Sequence, residues 1–245
     1  MSTNTYRNHR NAMLFAMLIA LFNTAPPVGA GQKADRFEIR RSLDYLLYLP
    51  EQYETAESLP MIVFLHGAGE RGSNIERVKR HGPPKIVESD PDFGFIVLSP
   101  QCPSGQRWNA PDIMALVRHV MDTHKVDRDR VYLTGLSMGG YGTWDTAVNY
   151  PHEFAAIAPI CGGGNPRYAR RIKHLPAWVF HGAKDKVVPI SQSQDMVQGM
   201  EKAGGTPKFT IYPEAGHDSW TASYANSELY RWFLQHKKQP PPARH

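Results

Sequence analysis

The chain has almost no cysteine. Cys102 and Cys161 are the only two in 245 residues, they form no CxxC pair, and no HExxH occurs. Thiolate-rich structural zinc sites and disulfide-dense scaffolds are therefore excluded, and no metal is expected. Long apolar runs are scarce as well. The run from Ala12 to Phe22 is shorter than the stretch of about 20 residues that a membrane-spanning helix needs. Basic clusters are missing too: the formal charge is only +5, with Lys and Arg interspersed among acids, so nucleic acid is a poor partner. No internal repeat is present.

The N-terminal run reads as a processing signal. Arg7 and Arg10 precede it, Pro26 and Pro27 follow it, and Val28 and Ala30 stand at the minus-three and minus-one positions of a small-residue cleavage site. The expectation is a signal peptide over 1–30, with an uncleaved anchor as the alternative. The mature protein is then secreted or periplasmic, with no stable membrane insertion after cleavage. In such an oxidising compartment Cys102 and Cys161 are allowed one disulfide, with free buried thiols as the alternative. Residues 31–236 suit one catalytic domain. The tail 237–245, with Pro240 to Pro242, is expected to be disordered.

Short apolar runs without polar alternation suit strands covered on both faces. They are Met61 to Leu65, Phe95 to Leu98, Val131 to Thr134, Ala155 to Ile160, Ala177 to Phe180 and Phe209 to Tyr212. Helical spacing appears between them, at Pro111 to His124, Gly140 to Tyr150, Ser191 to Ala203 and Ser223 to His236. This alternation predicts an α/β fold, a doubly wound and mostly parallel sheet with helices on both faces. Phe37 to Leu49 reads as a strand pair at an antiparallel edge.

The strongest local signal is Gly135-Leu136-Ser137-Met138-Gly139, a GxSxG pattern between a buried strand and a helix. A turn there forces the serine into a strained conformation and exposes its hydroxyl. A serine hydroxyl is a weak nucleophile and needs a base that is itself oriented by a carboxylate. Asp185 and then His217 follow later strands in the required order, at the carboxyl ends where sites of open α/β sheets gather. Asp218 and Glu214 are the rival acids, while His66 and His181 are expected to brace loops. The oxyanion is expected to be received by the backbone amides of Met138 and Ala68, with Gly69 allowing the acyl group to approach. No cofactor is required.

Gly67 to Gly72 is also GxGxxG after a strand, the pattern of a dinucleotide-binding turn. That motif needs a long following helix and then a strand ending in an acid. Pro83 and Pro84 cut the helix short, and Phe95 to Leu98 is followed by Ser99-Pro100-Gln101, so a nicotinamide or flavin enzyme is rejected. The Ile160 to Leu175 connection, where a lid would sit, is short and carries Arg167, Arg170 and Arg171. These read as a solvated face, and an open cleft for bulky, polymer-linked or aromatic acyl esters is expected. Trp108 and Trp220 are candidates to line it, against ordinary packing.

The stretches LHGAGERG (Leu65 to Gly72), SPQCP (Ser99 to Pro103), DRVYLTGLSMGGYGTW (Asp129 to Trp144), PICGGG (Pro159 to Gly164), HGAKDKVVP (His181 to Pro189) and GHDSW (Gly216 to Trp220) resemble the esterase branch of the α/β hydrolases. That branch includes polyhydroxybutyrate-depolymerase-like, feruloyl-esterase-like and predicted-peptidase proteins. The resemblance implies Ser137, Asp185 and His217 as triad, Ala68 and Met138 as oxyanion donors, and ester hydrolysis. A peptidase is the runner-up and a non-catalytic binding module a remote third. Dienelactone hydrolases are similar in fold but use a cysteine where this sequence has Ser137.

Overall fold

The computed structural model describes residues 42–90 and 92–238. The expected signal peptide, the first half of the Phe37 to Leu49 strand pair and the tail from 239 lie outside the described residues. Of that tail, Lys238 is held, its N–H donating to the Asp129 carbonyl at 2.7 Å. Among the described residues no helix is long and apolar enough to cross a membrane.

The apolar runs form strands because both of their faces find cover. In β2 (Leu59–Leu65) Met61, Val63 and Leu65 pack with one core cluster, and Ile62 and Phe64 with another. The other strands are β1 (Tyr45–Tyr48), β3 (Ile96–Pro100), β4 (Val126–Leu136), β5 (Ala156–Ile160), β6 (Trp178–Gly182) and β7 (Lys208–Tyr212). Their order across the sheet is β1-β3-β2-β4-β5-β6-β7. All neighbours run parallel except β1, which pairs antiparallel with β3 as expected. The strand order reverses between β2 and β4, so the loops leaving their carboxyl ends diverge and open a crevice there.

Helix α1 (Gly82–Ile86) begins with Pro83 and Pro84 in its first turn and lies on the Phe64 side of the sheet. Helix α2 (Ala110–Thr123) starts at Asn109, whose side chain accepts the Asp112 N–H at 3.1 Å. It buries Ile113, Met114, Val117 and Val120 on the opposite face. Helices α3 (Met138–Asn149) and α4 (Ser191–Lys202) join α2 there through Trp144, Met196 and Met200. The expected single C-terminal helix is two, α5 (Trp220–Ala225) and α6 (Ser227–Leu234). Asn226 is extended between them and caps α6 by accepting the Glu228 N–H at 3.0 Å. Tyr224, Leu229 and Phe233 then close the second core cluster. β7, at the sheet edge, is only partly covered, with Ile211 exposed.

The allowed disulfide does not form. Cys102 and Cys161 are both free and buried. They follow β3 and β5, which β2 and β4 separate, and three strand spacings of about 4.8 Å put them roughly 14 Å apart against a disulfide reach of about 7 Å between Cα atoms. Unreduced protein in denaturant will titrate two thiols per chain with a chromogenic disulfide reagent; none would signify a bond.

Candidate active site

β4 ends at Leu136 and α3 begins at Met138, leaving Ser137 alone on the turn with φ 52 and ψ −115. A non-glycine residue in that region costs about 1–3 kcal/mol and persists only when its surroundings enforce it. They do so through close backbone approach. A Cβ on Gly139 would stand 1.8 Å from the Leu65 carbonyl oxygen, and one on Gly135 would stand 2.4 Å from the Gly139 oxygen. The Ser137 N–H donates to Ile160 on β5 at 3.0 Å, and its carbonyl accepts from Tyr141 at 3.1 Å.

His217 and Asp185, expected from chain order, meet that serine. Ser137 Oγ lies 2.9 Å from His217 Nε2, and His217 Nδ1 lies 2.7 Å from Asp185 Oδ2. The carboxylate can only accept, so Nδ1 carries the proton and Nε2 is left to accept from the serine hydroxyl. The Asp185 side chain is fully buried and that of His217 is 20% exposed. Burial pushes the Asp185 carboxyl up. The hydrogen bonds from His217 and from the Val188 and Val187 amides outweigh it and hold the group below its ordinary value. His181 lies within β6 and braces this loop: its Nε2 donates to the Val188 carbonyl at 2.9 Å and sits 3.2 Å from Asp185 Oδ2. The rival acids are employed elsewhere. Asp218 accepts from the N–H and hydroxyl of Thr221, and Glu214 pairs with Lys184 in solvent.

Ala68 opens a 3-10 turn (Ala68–Glu70) after β2, and Met138 is the first residue of α3, where amides lack intrahelical partners. Beside Ala68, Gly69 faces open space. Short 3-10 turns follow in place of the long helix of a dinucleotide site. The loop is braced by His66, as expected, and by contacts of Gln101 and Arg71 that the sequence did not indicate. Gln101 Nε2 donates to the carbonyls of Glu70 at 2.9 Å and Asn74 at 2.7 Å. Arg71 Nε donates to the Ala68 carbonyl at 3.1 Å. His66 Nδ1–H donates to Gly67 at 2.6 Å, and its Nε2 accepts the Cys102 N–H at 2.9 Å. Burial lowers His66 from 6.5 to about 4. The sequence signal for the Gln101 and Cys102 contacts was the SPQCP stretch, which carries the family resemblance but no mechanistic pattern.

Of the two tryptophans, Trp108 donates Nε1–H to the His66 carbonyl at 3.0 Å and covers Gly142 of α3. It buttresses the loop after β2. Trp220 stands edge-on to His217, with ring centroids 5.1 Å apart. Arg167, Arg170 and Arg171 are exposed on a 3-10 turn (Pro166–Ile172) that packs on α4. Cys161, in the left-handed region at φ 39, is an unanticipated neighbour. Its thiol and one ligand atom each of Asp185 and His217 lie within 4.8 Å of one another. Burial pushes that thiol up to about 12, and Asp185 and His217 are already bonded to each other, neither of which favours metal binding by the three.

A parallel sheet crossed by helices, with a strained serine at the strand-to-helix turn and a histidine and acid at later strand ends, defines an α/β hydrolase. The profile of the dienelactone hydrolase family matches residues 85–229, and the chain belongs to that family. It is 28% identical over 176 residues to feruloyl esterase B of Thermothelomyces thermophilus, covering 66% of this chain and 54% of that one. It is 27% identical to a poly(3-hydroxyoctanoate) depolymerase of Pseudomonas fluorescens, covering 62% and 63%. A solved thermostable esterase superposes with a TM-score of 0.72 at 33% identity, covering 80% of this chain and 60% of that one. The acylaminoacyl peptidase of Pyrococcus horikoshii, at 18% identity and a TM-score of 0.64, covering 85% and 42%, shares the fold. The chain thus spans between 42% and 63% of the length of these relatives.

Two outcomes follow from the loop. Between about pH 6.5 and 4 the unfolded chain binds a proton that folded His66 refuses, so stability declines as pH falls through that window, by about 3 kcal/mol across it. Urea unfolding at pH 7 and 4.5 will read the difference, and His66→Gln will shrink it. Gln101→Ala, which frees the Glu70 carbonyl, will lower kcat about tenfold with little change in KM, as expected when a transition-state donor loses its position.

Proposed function

We propose that the chain is a serine carboxylic-ester hydrolase that works through an acyl-enzyme. The observation that carries this reading is the continuous hydrogen-bond path from Ser137 Oγ through His217 to buried Asp185. His217 Nε2 takes the Ser137 proton as Oγ attacks the ester carbonyl. Asp185 holds the imidazolium, and the Met138 and Ala68 amides receive the oxyanion. The imidazolium then protonates the leaving alcohol, and water repeats the sequence on the acyl-serine.

Among the described residues the β5 to β6 connection carries only the 3-10 turn Pro166–Ile172, which supports an open site and bulky acyl groups, feruloyl-type or polyester-type. The expected signal peptide makes the enzyme secreted or periplasmic. Ser137→Ala will reduce hydrolysis of an activated aryl ester by roughly 10⁴-fold. Equal rates would favour a binding module, and peptide anilides turned over as fast as aryl esters would favour a peptidase.

A further inference from the structure

On the serine-esterase reading His217 must act twice, and its support differs between the two steps. It follows β7 at the sheet edge, its side chain is 20% exposed, and its ring is hydrogen-bonded to Asp185 and to Ser137. The Ser137 bond lasts only until the serine is acylated, because an ester oxygen has no proton to give Nε2. In the acyl-enzyme the imidazole keeps the Asp185 bond alone and is free to turn toward solvent. Deacylation nevertheless needs Nε2 in place. It takes a proton from water as the water oxygen bonds to the acyl carbon, and returns that proton to Oγ as the C–Oγ bond breaks.

Trp220 stands where it hinders that turn. Its ring is at 90° to the imidazole, with centroids 5.1 Å apart. It begins α5, and that helix is tied to the middle of the sheet rather than to its edge. Tyr224, one turn further along the same helix face, is buried and shares a hydrogen bond with the Thr134 hydroxyl of β4 at 3.0 Å. The indole also meets the His81 ring at 5.6 Å, and His81 Nε2 faces the nearly buried Glu70 carboxylate at 3.8 Å. The indole N–H is buried and bonds to no acceptor among the described residues. Packing against the two imidazoles, and not a hydrogen bond, therefore sets the position of this ring.

We propose that Trp220, backed by His81, is a positioning residue that keeps His217 in place through the acyl-enzyme. Its loss then slows deacylation far more than acylation, in which the Ser137 bond still holds the imidazole. The test uses p-nitrophenyl butyrate. Acylation is read from kcat/KM, and deacylation from turnover at saturation divided by the acylated fraction of the enzyme, measured by intact mass after an acid quench. Trp220→Ala will slow deacylation about tenfold and acylation less than about threefold. Trp220→Phe, which keeps a ring, will recover most of that loss. His81→Ala, at a side chain 34% exposed, will slow deacylation about threefold with acylation kept, and it decides by the same comparison if Trp220→Ala does not fold. Folded variants that slow both steps equally, or neither, overturn the positioning role and leave the esterase standing, as does Trp220→Phe as slow as Trp220→Ala. No Ser137-dependent release of p-nitrophenol by wild type overturns both.

Discussion

The end of β2 and the start of α3 approach so closely that the Leu65 carbonyl occupies the place a side chain at 139 would need. The rest of the site depends on that contact. It lets α3 begin one residue after β4 ends, which forces Ser137 into positive φ and lifts its hydroxyl off the sheet. The same contact brings the start of α3 against the end of β2, from which the Ala68 loop leaves. Ser137 and the amides proposed as oxyanion donors are thus placed by backbone packing, in which little can relax.

Two imidazoles, one buried and one partly exposed, contrast in their settings. His66 is kept neutral chiefly by burial, and both of its ring nitrogens are committed to backbone partners, the Gly67 carbonyl and the Cys102 N–H. His217 is anchored on one nitrogen only and keeps the other for the serine. Burial and partner choice separate one residue type into a strut and a base. His181 is a second strut, tying the Asp185 loop to Val188 and, through Ser193, to α4.

The grouping of Ser137, His217 and Asp185 was legible in the sequence because each is marked by local signs: a strand end, a turn and chain order. The strands were legible for the same reason, although β4 runs longer than its apolar centre and β7 lies uncovered at the edge. What escaped depends on which strands are neighbours. Cys102 and Cys161 could share a bond until the sheet order put two strands between them. The reach of Gln101 back to Glu70 and Asn74 spans about thirty residues and bears no motif. The break between α5 and α6 had a local sign, the capping Asn226, hidden within an unbroken apolar period.

The three triad residues do not hang from equally firm supports. Ser137 follows β4, at the centre of the sheet, whereas His217 follows β7, whose one pairing among the described residues is with β6 and whose Ile211 faces solvent. Opening free energies are lowest at such margins. On warming, His217 is therefore the member of the three expected to be unseated first, while Ser137 and the core remain in place.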